Sequence, residues 1–300
     1  MKNVLGFLLT AATLSFAQQA AAINVFTCEP EWGALVQELG GDRVSAYVAT
    51  NPFQDPHRVQ AKPSLLAQAR RSNLVVCTGA ELEIGWLPIV LRQSGNDAIQ
   101  PGKPGYFEAA NYVPKLEIPT RLDRAAGDVH PGGNPHIQTD PRNIGRVATA
   151  LSQRLGEIDP VNAPFYQARQ RDFAKRWSAA IERWQKEAAP LRGANIVSHH
   201  KSWAYLNAWL GMREIAELEP KPGVEPTATH LEKILTQLKR EPARMVIRTP
   251  YDDARASEWL ANRAKIPAVM VPFTVGGSDK AKDLFGLFDD TVERLLGALK

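Results

Sequence analysis

From Ile23 onward, short apolar runs alternate with amphipathic stretches. Ile23–Thr27, Val44–Ala49 and Leu74–Cys77 have the length and β-branched content of buried strands. Trp32–Leu39 has helical spacing and stops at Gly40-Gly41, and Ser64–Arg71 follows Pro63 as a second helix. Strand–helix alternation with short turns predicts a parallel sheet covered by helices on both faces. Pro101, Gly102, Pro104, Gly105, Pro119, Pro131, Gly132 and Gly133 then mark 101–135 as a long irregular segment. Such loops inside compact domains are usually functional or mobile.

Asp140-Pro141 opens the next helix, with Asp140 as N-cap, and this helix runs to about Leu155. Ala163 to about Ala189 reads as one long helix, with Pro164 tolerated in its first turn. Phe165, Tyr166, Phe173, Trp177, Ile181 and Trp184 recur at helical spacing, which makes one apolar, core-facing stripe. Beyond Pro190 the alternation returns. Strands are predicted at Ala194–Ser198, Ile215–Leu218, Met245–Arg248 and Ala268–Val271. Helices are predicted at Ser202–Leu210, Ala228–Lys239, Arg255–Arg263 and Lys280–Leu296. The expected fold is α/β: two lobes with parallel sheets, joined by one long linking helix. The expected division is 23–159 for the N-terminal lobe, 160–190 for the linking helix and 191–300 for the C-terminal lobe, with no repeat evident between the lobe sequences.

The first residues bear on compartment. A basic start at Met1-Lys2, an apolar stretch from Val4 to Phe16 and the small residues Ala20-Ala21-Ala22 predict a cleaved signal peptide over 1–22. No cysteine stands at that cleavage point, so a lipid anchor is not expected, and the mature chain is expected in the periplasm. No later apolar run approaches the roughly 18 residues of a membrane span. The 36 Lys and Arg against 32 Asp and Glu are spread along the chain, which argues against a nucleic-acid partner. The two cysteines, Cys28 and Cys77, both end predicted strands. In an oxidising compartment they form a disulfide if those strands are parallel neighbours, or else stay as two buried thiols.

Chemistry enters with three histidines. His57 lies in Asp55-Pro56-His57, His136 in Asn134-Pro135-His136 and His200 in Val197-Ser198-His199-His200. Each sits where a loop follows a strand or precedes a helix, and in open α/β sheets ligands bind at the carboxyl ends of strands. Imidazoles from two lobes would meet in the cleft between them and suit a borderline-soft metal. Three neutral imidazoles favour Zn²⁺ over Mn²⁺, which prefers oxygen-rich shells.

The chain resembles the zinc and manganese substrate-binding proteins of metal ABC transporters (the TroA/ZnuA-like group), over nearly all of its mature length. Gly41-Asp42-Arg43-Val44 with Asp55-Pro56-His57 and Lys62-Pro63-Ser64 is similar to the family's first ligand segment. Gly79-Ala80-Glu81-Leu82-Glu83 with Trp86-Leu87 resembles the turn after its third strand. Asn134-Pro135-His136 with Asp140-Pro141 resembles the second ligand segment. Val197-Ser198-His199-His200 with Trp203, Tyr205 and Val224-Glu225-Pro226-Thr227 resembles the third. The resemblance implies two α/β lobes bridged by a long helix, His200 rather than His199 as ligand, and an inner-membrane ABC permease as partner.

The chain also departs from that pattern. Lys201 stands where the family often has Asp, and the stretch Arg124–Gly133, long and histidine-rich in many zinc receptors, is short here and holds only His130. His130 is therefore an auxiliary candidate. The family's fourth, carboxylate ligand would fall near Thr274-Val275-Gly276-Gly277, where this chain is apolar, and Asp279 is the nearest candidate. Glu83, Asp252 and Asp253 are weaker candidates, and His230 reads as a surface residue. The expected function is a monomeric extracytoplasmic receptor that captures Zn²⁺ for uptake and performs no chemistry. The alternatives are a manganese receptor of the same family, a secreted three-histidine zinc hydrolase or lyase, and a metal-stabilised adhesin or structural module. The hydrolase reading lacks a placed general base, since no His-Glu-x-x-His occurs.

Overall fold

A computed structural model of the chain describes residues 22–120, 127 and 129–300. The expected leader, Ala22 apart, lies outside the described residues, as does most of 121–128. The apolar runs form two four-stranded sheets in which every strand pair is parallel. The first contains β1 (Ile23–Thr27), β2 (Val44–Val48), β3 (Leu74–Cys77) and β4 (Tyr106–Glu108) in the order β2-β1-β3-β4. The second contains β5 (Asn195–Ser198), β6 (Arg213–Glu217), β7 (Met245–Arg248) and β8 (Ala268–Met270) in the order β6-β5-β7-β8. The two lobes thus share one topology although their sequences show no repeat.

Two elements correct the sequence expectation. β4 lies inside the stretch expected to be irregular. It is a three-residue edge strand paired to β3 through Val75↔Tyr106, too short to show a period of two. The helix α3 (Leu87–Ser94) was also not expected; it buries Leu87, Val90 and Leu91 on one face. The remaining helices match expected segments: α1 (Pro30–Gly40), α2 (Pro63–Arg70), α4 (Pro141–Ile158), α5 (Ala163–Glu187), α6 (Ala204–Leu210), α7 (Ala228–Leu238), α8 (Ala254–Ala264) and α9 (Leu284–Gly297). Asp140 caps α4 by accepting from the Arg142 amide at 2.8 Å. α9 starts later than Lys280 because Asp283 is its N-cap, accepting from the Gly286 amide.

α5 is the link between the lobes. Its 25 residues span about 37 Å at the helical rise. It packs on α1, α4 and α9. The aromatic stripe is core: Trp177 stacks on Phe173 at 5.1 Å and meets Trp184 edge-on at 5.2 Å. The Trp177 and Trp184 indole N–H groups donate to the Pro141 carbonyl and to Asp289, so burial leaves neither unpaired. One hydrophobic cluster runs from Val25 and Val76 of the first sheet through α4 and α5 to Ile196 and Met245 of the second. Each sheet buries its other face separately, under α2 and α3 in one lobe and under α7 and α8 in the other. Because all strands are parallel, their carboxyl ends and the loops that follow open on one side of each sheet.

The same register settles the cysteines. β1 and β3 are neighbours with Thr27↔Val76 paired, so Cys28 and Cys77 stand side by side, with Cα atoms 4.8 Å apart, and form a disulfide. Among the described residues no helix is long and apolar enough to cross a membrane.

Candidate metal centre

His57 lies in the loop beyond β2, His200 just past β5, and His136 at the N-terminal end of a single 3₁₀ turn (Ile137–Thr139) that leads into α4. The fold brings all three to one point. One ring nitrogen from each lies within 4.8 Å of those of the other two. Ring centroids are 5.3 Å apart for His57–His136 and 5.7 Å for both His57–His200 and His136–His200.

Carboxylates set two of the rings. His57 Nδ1 donates to Asp55 Oδ1 at 2.8 Å, and Asp55 also accepts the His57 amide at 2.9 Å, a tight turn made possible by the Asp-Pro-His sequence. His200 Nδ1 donates to Glu219 at 2.7 Å, and Glu219 accepts the Gly223 amide at 2.8 Å. With Nδ1 carrying the proton, Nε2 presents its lone pair, the arrangement by which outer carboxylates orient metal-binding imidazoles. His136 is the most buried of the three, at 1 % exposed; its Nδ1 has no hydrogen-bond partner, and its ring meets Phe273 edge-on. Its backbone is fixed instead, with its amide donating to Asn134 Oδ1 at 3.0 Å.

Burial, followed by the neighbouring His57, His200 and His130, pushes His136 well below the usual imidazole range and keeps it neutral. For His200 burial opposes the charge, but the hydrogen bond and charge of Glu219 outweigh it and hold the ring above its usual value. For Asp55 burial also opposes charge, and the hydrogen bond and charge of His57 overcome it, so its carboxyl sits below the ordinary range.

His130 stands beside His57, outside the three histidines whose ring nitrogens all lie within 4.8 Å of one another. Its Nε2 lies 3.3 Å from His57 Nε2, and the ring centroids are 5.3 Å apart. That separation equals, within a tenth of an ångström, the edge of about 3.3 Å of a tetrahedron built on zinc–nitrogen bonds of roughly 2.05 Å. Asp279 is exposed and lines neither cavity beside the histidines. One of these cavities, of about 340 Å³, is bordered by His130, His136, His200 and the Lys201–Glu117 pair. The other, of about 250 Å³, is acidic, with Asp55, Glu219, Asp252 and Asp253 beside His57 and His200, and Arg58 as its basic member.

The weaker candidates have other tasks. Glu83 accepts the Thr78 and Gly79 amides at 2.7 and 3.1 Å and so holds the turn after β3. Asp252 borders the acidic cavity but accepts the Thr249 amide, and Asp253 caps α8. His230 Nε2 bonds the Glu217 carbonyl, away from the cluster. Lys201 pairs with Glu117 at 3.2 Å and Glu217 at 3.8 Å. The partner of His200 is Glu219, which sequence reasoning missed. β6 pairs with β5 at Ser198↔Glu217, so Glu219, two residues beyond, falls opposite His200. An acidic residue at a strand end was visible; the pairing that brings it to His200 was not.

Comparison with known proteins agrees with this fold. The family model described as the periplasmic zinc-uptake complex component A, ZnuA, matches residues 25–298. The high-affinity zinc uptake system protein ZnuA of Paracoccus denitrificans (strain Pd 1222) is 23 % identical over 264 residues, covering 77 % of this chain and 77 % of that protein. The manganese ABC transporter substrate-binding lipoprotein PsaA of Streptococcus pneumoniae is 20 % identical over 275 residues, covering 90 % of this chain and 85 % of that protein. A crystal structure of ZnuA superposes with a TM-score of 0.77 at 21 % identity, covering 93 % of this chain and all of that one, which establishes the shared fold.

Proposed function

Because this chain belongs to the periplasmic zinc-uptake component A family of ABC-transporter binding proteins, we propose that it captures Zn²⁺ outside the cytoplasm and hands it to a membrane ABC permease. The members of this family bind and deliver a metal and are not enzymes. The ligands we assign are His57, His136 and His200, with His130 rather than Asp279 at the fourth corner. The division into lobes 23–159 and 191–300 about the 160–190 link, and removal of 1–22 as a signal peptide, belong to the same reading.

One observation carries it: ring nitrogens from both lobes converge within 4.8 Å, and Asp55 and Glu219 turn two of them inward. An all-nitrogen shell selects zinc over manganese, which favours carboxylate and water oxygens. Cations are drawn toward the site by the acidic cavity on its flank.

The test is competitive binding to the chelator-treated protein. Zn²⁺ should bind one per chain and resist a large excess of Mn²⁺. His57→Ala, His136→Ala and His200→Ala should each weaken zinc binding strongly. Displacement of Zn²⁺ by equimolar Mn²⁺ would turn the reading toward a manganese receptor, and full metal retention by any one variant would remove that residue from the site.

A further inference from the structure

Two of the three converging histidines are turned by carboxylates, and His136 is not. Its Nδ1 has no hydrogen-bond partner, so the place of its ring follows from packing on Phe273 and from the backbone that carries it. That backbone is held by Asn134, which is 7 % exposed and whose Oδ1 accepts the His136 amide at 3.0 Å.

The nitrogen of the same side chain faces two acceptors. Asn134 Nδ2 donates to Glu117 Oε2 and to the Lys201 carbonyl, both at 2.9 Å. Glu117 follows the first sheet, and Lys201 follows His200 beyond β5 of the second. Glu117 Oε1 reaches Lys201 Nζ at 3.2 Å, so three residues close a ring of polar contacts. The Asn134 amide fits this ring in one orientation only. Turned over, its oxygen would face a carboxylate and a carbonyl, and its NH₂ would face the His136 N–H.

Main-chain bonds run alongside. The Asn134 amide donates to the Leu116 carbonyl at 2.8 Å, the Leu116 amide donates to Tyr205 Oη at 3.1 Å, and Tyr205 Oη donates to the Asn134 carbonyl at 2.8 Å. Gly133 has φ of 97°, and a Cβ there would stand 2.7 Å from the Leu116 carbonyl oxygen, so glycine is what lets the two segments meet. Glu117 itself is left-handed at φ 54°. A residue other than glycine persists in that region when its surroundings hold it, and here Asn134 and Lys201 do so.

One side chain therefore joins the segment before His136 to the residue after His200. We propose that Asn134 is a positioning residue, clamped by Glu117 and Lys201 into a clasp between the lobes that fixes the spacing of His136 and His200 and slows release of the bound metal. The proposal rests on the assignment of those two histidines as ligands. Asn134 then does for His136, through the main chain, what Asp55 and Glu219 do for the rings of His57 and His200.

Asn134→Asp isolates the clasp. The new carboxylate still accepts the His136 amide, but it replaces two donor bonds with repulsion against Glu117 and the Lys201 carbonyl. Glu117→Gln in that background returns a donor opposite the new carboxylate, a rescue that a residue needed only for folding would not show. Amide hydrogen exchange at Leu116 in the metal-free full chain reads the clasp itself. Zinc release into excess chelator, followed by stopped flow, reads its effect on the cargo. Asn134→Asp should exchange at Leu116 and release zinc roughly tenfold faster than wild type, and the double variant should recover at least about threefold of each. Where His136→Ala loses zinc, unchanged Leu116 exchange, zinc release within about twofold of wild type, or no recovery in the double variant would each overturn the clasp. Zinc retained by His136→Ala and by His200→Ala would instead overturn the ligand assignment and the release claim with it, while the metal-free exchange would still decide whether the clasp exists. Should Asn134→Asp fail to fold, Glu117→Gly decides by the same two readouts, because glycine accepts the left-handed backbone of Glu117 and only the bonds of the carboxylate are lost.

Discussion

Replacing Glu219 should weaken zinc binding without touching a ligand atom. Glu219 holds the His200 Nδ1 proton at 2.7 Å and the Gly223 amide at 2.8 Å, and its side chain is 13 % exposed. Removing it frees the ring to rotate, permits the wrong tautomer and lowers the basicity of Nε2. Outer hydrogen-bond partners of metal-binding histidines typically contribute 10- to 100-fold in affinity, or about 1.4 to 2.8 kcal/mol. Glu219→Ala loses orientation and charge together in a mostly buried place, so about 100-fold is expected. Glu219→Gln keeps an acceptor oxygen and loses only the charge, so the loss should be nearer tenfold. Asp55→Ala should also lie near tenfold, because Asp55 is 35 % exposed and water can replace part of what it does for His57. The assay is competition against a chromophoric zinc chelator at fixed ionic strength and pH, on variants with wild-type circular dichroism. Affinity within about twofold of wild type for Glu219→Ala would refute the reasoning, since His200 would then need no external support.

His130→Ala should cost at least the roughly tenfold of an outer partner, whereas Asp279→Ala should leave zinc affinity unchanged; the reverse result in the same competition assay would restore Asp279 to the fourth corner. Removing the disulfide with Cys28→Ser and Cys77→Ser should lower stability by about 4 kcal/mol on the chain-entropy account, given its 49-residue separation, with urea unfolding as the measurement. Metal-free Glu31→Gln should have a flatter stability–pH profile than wild type. The folded Glu31 carboxyl is raised to about 7 from a usual 4.5, so its favourable contribution is full below the unfolded value and is lost as pH rises through about 7. Identical profiles for the two proteins between those values would refute it.

The repeating elements were legible because their signals are local. Short apolar runs predicted β1, β2 and β3, and the aromatic spacing from Phe165 to Trp184 predicted α5 and its buried face. β4 was not legible, since three residues on a sheet edge carry no period. The cysteine question needed one non-local fact, that β1 lies beside β3. At the candidate site the histidines could be singled out by their loops, and the structure gathers them. Asp55 was visible as a neighbour of His57, but Glu219 depends on β6 lying beside β5, which no local pattern encodes. Asp279 was chosen by its distance along the chain from a family motif, whereas it is His130 whose ring stands beside His57.

In the proposed site, zinc rests on four histidines and on imidazole nitrogen alone. X-ray absorption at the zinc edge, on the full chain loaded with one Zn²⁺, tests it directly. Four nitrogen neighbours at about 2.0–2.1 Å are expected, with the outer-atom scattering of imidazole rings, and one ring fewer in His130→Ala. A shell containing carboxylate oxygen in the wild type, or the same imidazole count in His130→Ala, would contradict it.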